Sequence, residues 1–532
     1  MLILMFLLMV FMWNGWVEKG VLVLWQSIPV SEISILIDGY STLFLMIISV
    51  VSYVVNLYSY SYMSGSFKFG KFNFLMIMFV MSMSALCLSG NLFWSMVGWD
   101  GLGLFSILLI LFYKNSLSVS GSFITYLYNR TGDMFFMVAV MILLREDSSM
   151  AVVMSFMAML ACMTKSAQFP FSVWLPLAMV APTPVSSLVH SSTLITAGVW
   201  ILIRFPGIIS SSVIENLWWV SGVTILYATV LAITDSDLKS VVAYSTLSHI
   251  GFMMFLISQG ESNIAFIHMC MHAIFKSMLF MVCGVMFHKS GGSQDLRFIN
   301  LNWKEEPLMS FFMNTSVFGM IGLPFVSGFY SKELFIISSM GGPKGYFSII
   351  IILATIWYSI RILVNLFSSW SSSPPHPPMI GGSYKMTFLS FFFNLMVGIW
   401  FFWMMDTESQ MKESYFSSQF YKLIVLFLII STFWVIKPFM QKMLYLFVQV
   451  YKKWFWKELM SGYSNHLKLE FYQMKFLEKD YSGFMSYTVR KWTDSVSSTF
   501  NKWKVKYEFK LVPLFSTLIP FVMAIFTHQL LF

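Results

Sequence analysis

Thr164-Lys-Ser-Ala-Gln-Phe-Pro170 sets a lysine shortly before a proline in the middle of an apolar stretch. Proline has no backbone N–H and its ring clashes with the preceding turn, so the helix that carries Lys165 is predicted to break there. A break frees backbone groups, and an ammonium needs polar neighbours. Lipid tolerates neither, so both predict a helix that lines a polar cavity inside a membrane domain. Gly322-Leu-Pro-Phe-Val-Ser-Gly-Phe-Tyr-Ser-Lys332 reads the same way: a proline and two glycines precede a second lysine, 167 residues downstream.

The chain outside these two stretches has the composition of a membrane protein. Its 532 residues are 58% hydrophobic and 11% charged, against about 25% charged in soluble domains. Apolar runs such as Phe74–Leu88, Leu102–Tyr113, Phe347–Trp357 and Leu423–Val435 recur along it. With their flanks each completes a span of about 20 residues, and about fifteen such spans are predicted in an all-α polytopic fold. Met1–Trp16 lacks a basic start and a small-residue cleavage site before Glu18 and Lys19, so it is expected to stay as a first span. Val21–Trp25 and Ile33–Ile37, parted by Ser27, Pro29 and Ser31, predict a small hairpin outside the membrane.

The two matching breaks suggest two inverted repeats, the arrangement in which transporters place broken helices around a polar site. The expected organisation is 1–71 for the first spans and hairpin, 72–205 and 206–370 for the repeats, and 371–437 for a Ser/Pro/Gly-rich linker with further spans. A long amphipathic helix over 438–509 and a final transmembrane anchor over 510–532 complete it. The net charge of +9 is concentrated late: Lys437–Lys510 holds 14 basic and 6 acidic residues. There Trp492, Val496, Phe500, Trp503 and Tyr507 recur every three or four positions. An apolar stripe on a basic helix suits a membrane surface or a row of partner helices.

An ionisable side chain at membrane depth costs ~3 kcal/mol or more, so each one is a functional candidate. Asp100, Asp133, Lys165, Lys332 and Glu333 form a candidate polar axis. His268, His272 and Lys276 are spaced by four, which puts them on one face of a single helix. Burial disfavours a charged lysine and a nearby carboxylate favours it, so moving a carboxylate can load or eject a proton. Histidine titrates near neutrality unaided. His190, followed by Ser191, Ser192 and Thr193, is a candidate link with hydroxyls available to hold water.

Plainer roles stand beside these. Asp133 can simply pair with Arg130, His190 can be a hydrogen-bonded core histidine, and Lys239 reads as a solvated loop or helix-end charge. The His-x3-His spacing fits a metal, yet neither a Glu-x-x-His pattern nor a third clustered ligand accompanies it. Cys87, Cys162, Cys270 and Cys283 lie in apolar segments without ligand spacing. No Gly-rich nucleotide loop is present, so redox cofactors are expected on other chains.

Lys165-Ser-Ala-Gln168, Trp174-Leu-Pro176, Ala181-Pro-Thr-Pro-Val185, His190-Ser-Ser-Thr193, Ala243-Tyr-Ser-Thr246, His272-Ala-Ile-Phe-Lys276 and Gly328-Phe-Tyr-Ser-Lys332 resemble the subunit 5 family of mitochondrial NADH:ubiquinone oxidoreductase, complex I. The match runs from about Asp38 to Trp370 and, more weakly, into the tail. Mrp-type sodium/proton antiporters share the broken-helix lysines and offer the alternative of a stand-alone cation/proton exchanger.

The resemblance implies a proton-translocating subunit of the mitochondrial inner membrane. Asp100 and Lys165 would form the switching pair, His190, His268, His272 and Lys276 the central relay, and Lys332 with Glu333 the terminal gate. Asp133 would lie near an entry or exit path. It also implies FMN, iron–sulfur clusters and ubiquinone on partner subunits, contacts with antiporter-like subunits 4 and 2 along the lateral helix, lipids including cardiolipin, and no nucleic acid. Three departures stand out. Aspartate replaces the usual glutamate at position 100, Ser172 stands where many members have histidine, and the stretch before Asp38 is short for the usual two spans.

Overall fold

The computed structural model describes residues 20–25, 33–64, 68–144, 150–299, 307–323, 326–339 and 343–368, all within one compact unit, Met1–Met443. The first expected span, the spans after residue 370, the lateral helix and the anchor lie outside the described residues. The predicted hairpin is present as β1 (Gly20–Trp25) and β2 (Ile33–Ile37), antiparallel from Gly20 opposite Ile37, with a register irregularity between Val23 and Trp25.

Asp38 ends the hairpin and caps α1 (Gly39–Tyr62). Its carboxylate accepts from Ser41 N at 3.2 Å while Asp38 N donates to Ser41 Oγ at 2.9 Å, a reciprocal capping box. The other carboxylate oxygen pairs with Arg204, which ties the start of α1 to a later helix.

Helices follow in an almost unbroken series: α2 (Phe69–Leu88), α3 (Leu92–Ile110), α4 (Ser116–Leu144), α5 (Ala151–Lys165), α6 (Trp174–Ala178), α7 (Thr183–Leu188) and α8 (Thr196–Arg204). Then come α9 (Ser211–Thr234), α10 (Leu238–Ser258), α11 (Ser262–Lys289), α12 (Pro307–Ile321), α13 (Ser327–Ser339) and α14 (Pro343–Ser368). Nine helical stretches among the described residues are long and apolar enough to cross a membrane. Two shorter apolar helices, α5 and α12, are the pieces that run up to the predicted breaks.

Enclosure grades sharply across the bundle. Only 33% of the most apolar window of α4 and 39% of that of α2 are buried, and Phe74, Met81, Phe123 and Met134 point outward. By contrast 94%, 83% and 100% of the most apolar windows of Thr183–Arg204, α10 and α11 are enclosed. Apolar residues facing lipid need no partner, whereas a helix enclosed on every side can hold polar groups only if they meet one another or water. The most enclosed helices carry the histidines.

Two joints fix the helix ends. Arg361 on α14 donates from Nη1 to Ala232 O at 2.7 Å and from Nη2 to Asp235 O at 2.9 Å, satisfying carbonyls at the end of α9. The turn between α9 and α10 is closed against the loop after α11 by Leu238 N to Gln294 O and Leu296 N to Ser236 O, both 2.9 Å, opposite Asp237 and Asp295.

Candidate functional site

Lys165 is the last residue of α5 and is wholly buried. The chain then leaves the helix through Ala167, in the left-handed region at φ 55°. Gln168 beyond it is buried and takes a hydrogen bond from Thr224 Oγ1 of α9 at 2.7 Å. Lys165 Nζ points back across the bundle to α3, where it donates to Trp99 O at 3.0 Å and lies 5.0 Å over the indole ring. That ring face is a favourable seat for an ammonium. Gly103, one turn on, makes the seat possible: a Cβ there would stand 3.2 Å from Nζ.

Trp99 also holds Asp133. Its indole N–H donates to Asp133 Oδ1 at 2.9 Å, and Asp133 Oδ2 pairs with Arg130 at 3.2 Å, the plainer role open to this residue. Among the described residues no carboxylate forms a direct ion pair with Lys165. Asp100 and Asp133 both act on it through space, Asp133 the more strongly. One oxygen of Asp100 is buried without a hydrogen-bond partner, as are both amide atoms of Asn129. Buried polar atoms are almost always partnered, so such a group of orphans sets the surroundings of Lys165 apart from ordinary packing.

His190 sits in a single π turn, Val189–Thr193, where Leu194 N reaches back to Val189 O at 3.1 Å. Turns of this kind often accompany functional sites. Both ring nitrogens are buried and unpartnered, so His190 is not the satisfied core histidine that its sequence also allowed. The neighbouring hydroxyls are engaged with backbone: Ser191 with Ser187 O, Ser192 with Leu188 O at 2.9 Å and Thr193 with Leu188 O at 2.8 Å.

Lys239 is a helix-end charge, as its sequence suggests, but not a solvated one. It is 4% exposed, in the first turn of α10, and donates to Ala181 O, close enough to His190 for their charges to interact. The preceding Asp235-Ser-Asp237 marks a loop, but the lysine itself turns into the bundle.

The row on α11 is fully buried, as its spacing predicts. Lys276 Nζ donates to Ser245 Oγ of α10 at 2.6 Å and touches Met320 Sδ of α12 at 2.9 Å. Lys332, on α13, folds back over the break to Met320 O, to Ile321 O at 3.3 Å and to Thr355 Oγ1 of α14 at 3.0 Å. Those carbonyls are the negative end of α12, which suits a cation. Lys276 and Lys332 thus meet at one residue, Met320. Glu333 follows on α13, half-buried, with its charge near Tyr330.

Sequence reasoning misses His249. It projects from α10 against the row, with Nδ1 at 3.1 Å from His268 Nε2 and its ring centroid 5.5 Å from that of His272. A lone histidine inside Leu238–Ser258 carries no spacing signal. The structure therefore brings Lys165, Asp133 and Asp100 together at one end, and His249, His268, His272, Lys276 and Lys332 at the other, with His190 and Lys239 as a separate pair. Among the described residues no three His, Cys, Asp or Glu side chains converge as a metal-ligand set.

The family model described as NADH:quinone oxidoreductase/Mrp antiporter, TM, matches residues 89–357, and the model for the N-terminus of complex I chain 5 matches residues 25–74. The chain is 36% identical over 412 residues to NADH-ubiquinone oxidoreductase chain 5 of Aedes aegypti, covering 73% of this chain and 71% of that one. It is 38% identical over 359 residues to the chain of the same name in Mytilus edulis, covering 64% and 63%. Among solved structures it resembles a chain of the Mrp complex from Dietzia sp., with a TM-score of 0.68, 22% identity and coverage of 98% of this chain and 58% of that one. A chain of an archaeal membrane-bound sulfane sulfur reductase gives a TM-score of 0.66 at 19% identity, covering 75% and 88%. At these identities the two structures show a shared fold.

Proposed function

The chain belongs to the family of membrane subunits shared by NADH:quinone oxidoreductases and Mrp antiporters, and from that membership we propose that it is a proton-translocating subunit of respiratory complex I, with its buried lysines, histidines and carboxylates as the proton path. The observation that carries this reading is burial without pairing. Lys165, His190, His268, His272 and Lys276 are 0% exposed and Lys332 3%, and no carboxylate ion-pairs any of them within the described residues. Structural charges at such depth are paired. Groups that take up and release a proton need not be.

In this mechanism NADH oxidation and quinone reduction occur on partner subunits, which hold the FMN, iron–sulfur clusters and ubiquinone. Conformational change reaching this chain alters how strongly Asp100 and Asp133 hold the charge on Lys165. Lys165 sits on a carbonyl and a ring face, contacts that a shift of α3 against α5 would break. At the far end Lys276 and Lys332 share Met320, and two ammonium groups so close repel, so the pair favours one positive charge between them. A proton arriving at one is passed on from the other. The chain is a polytopic membrane protein with other membrane subunits as partners; we place it in the mitochondrial inner membrane beside antiporter-like subunits 4 and 2, with lipid, including cardiolipin, filling the seams.

Lys165→Ala and Lys332→Ala in the assembled complex test the proposal through proton output per NADH in sealed vesicles. Loss of output with NADH oxidation by an artificial acceptor intact is expected, and unchanged output overturns the path. The fold likeness to the Mrp chain supports a second reading, cation/proton exchange. Sodium-dependent proton exchange by the isolated chain would establish that one.

A further inference from the structure

Of the two histidines in the α11 row, His268 alone is hydrogen-bonded at both ring nitrogens. Nε2 meets His249 Nδ1 at 3.1 Å and Nδ1 meets Ser331 Oγ at 2.8 Å. His272, one turn on, has no partner at either nitrogen. Ser331 is the residue before Lys332 on α13, so the His268 imidazole is where the α11 row touches the helix of the terminal lysine. The side chains of His249, His268, His272, Ser331 and Lys332 are all buried, His249 at 1% exposure and Lys332 at 3%.

The ring of His249 is held in place. It lies 5.3 Å from the His268 ring at 19° and edge-on to Phe275 at 5.4 Å, while Phe252 packs edge-on to His268 at 4.6 Å. Its other nitrogen, Nε2, has no partner, so the bond to His268 is the hydrogen bond that orients it.

A neutral imidazole has one donor and one acceptor nitrogen, and the bond at one nitrogen decides the role of the other. The geometry points to His249 as a positioning residue: by accepting from His268 Nε2–H it leaves His268 Nδ1 as the acceptor facing the Ser331 hydroxyl, on the helix that carries Lys332. This rests on the proton-path reading above and adds a second link between the row and α13, beside the one at Met320. When His268 takes up a proton at Nδ1 it becomes an imidazolium with donors at both nitrogens, to His249 Nδ1 and to Ser331 Oγ, and the Ser331 hydroxyl proton turns to Gly328 O, 3.3 Å away. Release of that proton restores the acceptor at Nδ1, and the hydroxyl turns back to it.

The test uses the assembled complex in sealed vesicles, read as proton output per NADH. Ser331→Ala and His249→Leu are each expected to lose output. His249→Gln, whose amide oxygen can accept the same bond, is expected to restore it. Gln behaving like Leu overturns the positioning role, because an acceptor alone would then be insufficient. Parental output in Ser331→Ala overturns the coupling. If His249→Leu does not assemble, Ser331→Ala and His249→Gln still decide. Lys332→Ala separates the two levels: output unaffected by Lys332→Ala defeats the proton path itself, whereas output lost there but parental in Ser331→Ala defeats only this connection.

Discussion

At the scale of single residues, Trp99 organises one end of the path, because its carbonyl and ring seat Lys165 while its indole N–H holds Asp133. Asp133→Ala leaves that wholly buried N–H without its acceptor, a cost of about 1–3 kcal/mol. Asp133→Asn keeps an acceptor and is expected to recover most of that cost, so the thermal inactivation midpoint of the purified complex should rank parent, Asn, Ala. Lys165 and Lys332 were legible in the sequence because each stands beside a helix breaker, and the α11 row because four-residue spacing survives in one dimension. His249 was not legible, since its partner lies 19 positions away on another helix. Lys239 was legible as a helix-end charge, because Asp235 and Asp237 lie in the turn before it, but nothing local shows that the lysine turns inward to Ala181 O.

At the scale of elements, the second break depends on Gly322, at φ +82°, where a Cβ would also meet Lys332 Cδ at 3.0 Å and Gly328 O at 3.3 Å. Gly322→Ala is expected to cost about 1–2 kcal/mol for the left-handed backbone and to displace the lysine stem, so both thermal stability and proton output per NADH should fall. Prolines and glycines announced both breaks. What they could not announce is the asymmetry, with Lys165 ending its first half-helix and Lys332 folding back from its second, nor the π turn at His190, which no residue type signals.

The joint between the α9–α10 turn and the loop after α11, which lies beyond the ends of the apolar spans, adds a pH dependence. The Asp237 carboxyl is raised from its ordinary range first by its hydrogen bond with Asp295, then by burial, with Asp295 and Asp235 charges adding and Arg297 opposing. A raised carboxyl favours the folded joint in its neutral form, so the contribution is full below the ordinary carboxylate range and is lost as pH climbs through the raised value. Amide exchange at Leu238 and Leu296, corrected for intrinsic rate, should quicken over that climb. Asp295→Asn, which keeps a hydrogen-bonding partner and removes the repelling charge, should flatten the response.

At the scale of the whole molecule, family membership leaves two ways of working, in a redox-driven complex or as an exchanger, and the polar axis suits both. What separates them is attachment to a row of partners, and the sequence feature that suits it is the apolar stripe of Trp492, Val496, Phe500, Trp503 and Tyr507 on a basic segment, which lies outside the described residues. An aromatic side chain buried against a partner contributes about 1.5–3 kcal/mol. If the stripe lies along neighbouring subunits, Trp492→Ser, Phe500→Ser and Trp503→Ser together remove several kcal/mol of attachment. The bundle that holds Lys165 and Lys332 is untouched by these changes. The triple variant should therefore leave the complex at lower detergent than the parent on native electrophoresis, while proton output per NADH in the complexes that remain intact stays near parental. Unaltered retention would mean that the stripe faces lipid, and the case for a complex-bound subunit would then rest on the family match alone.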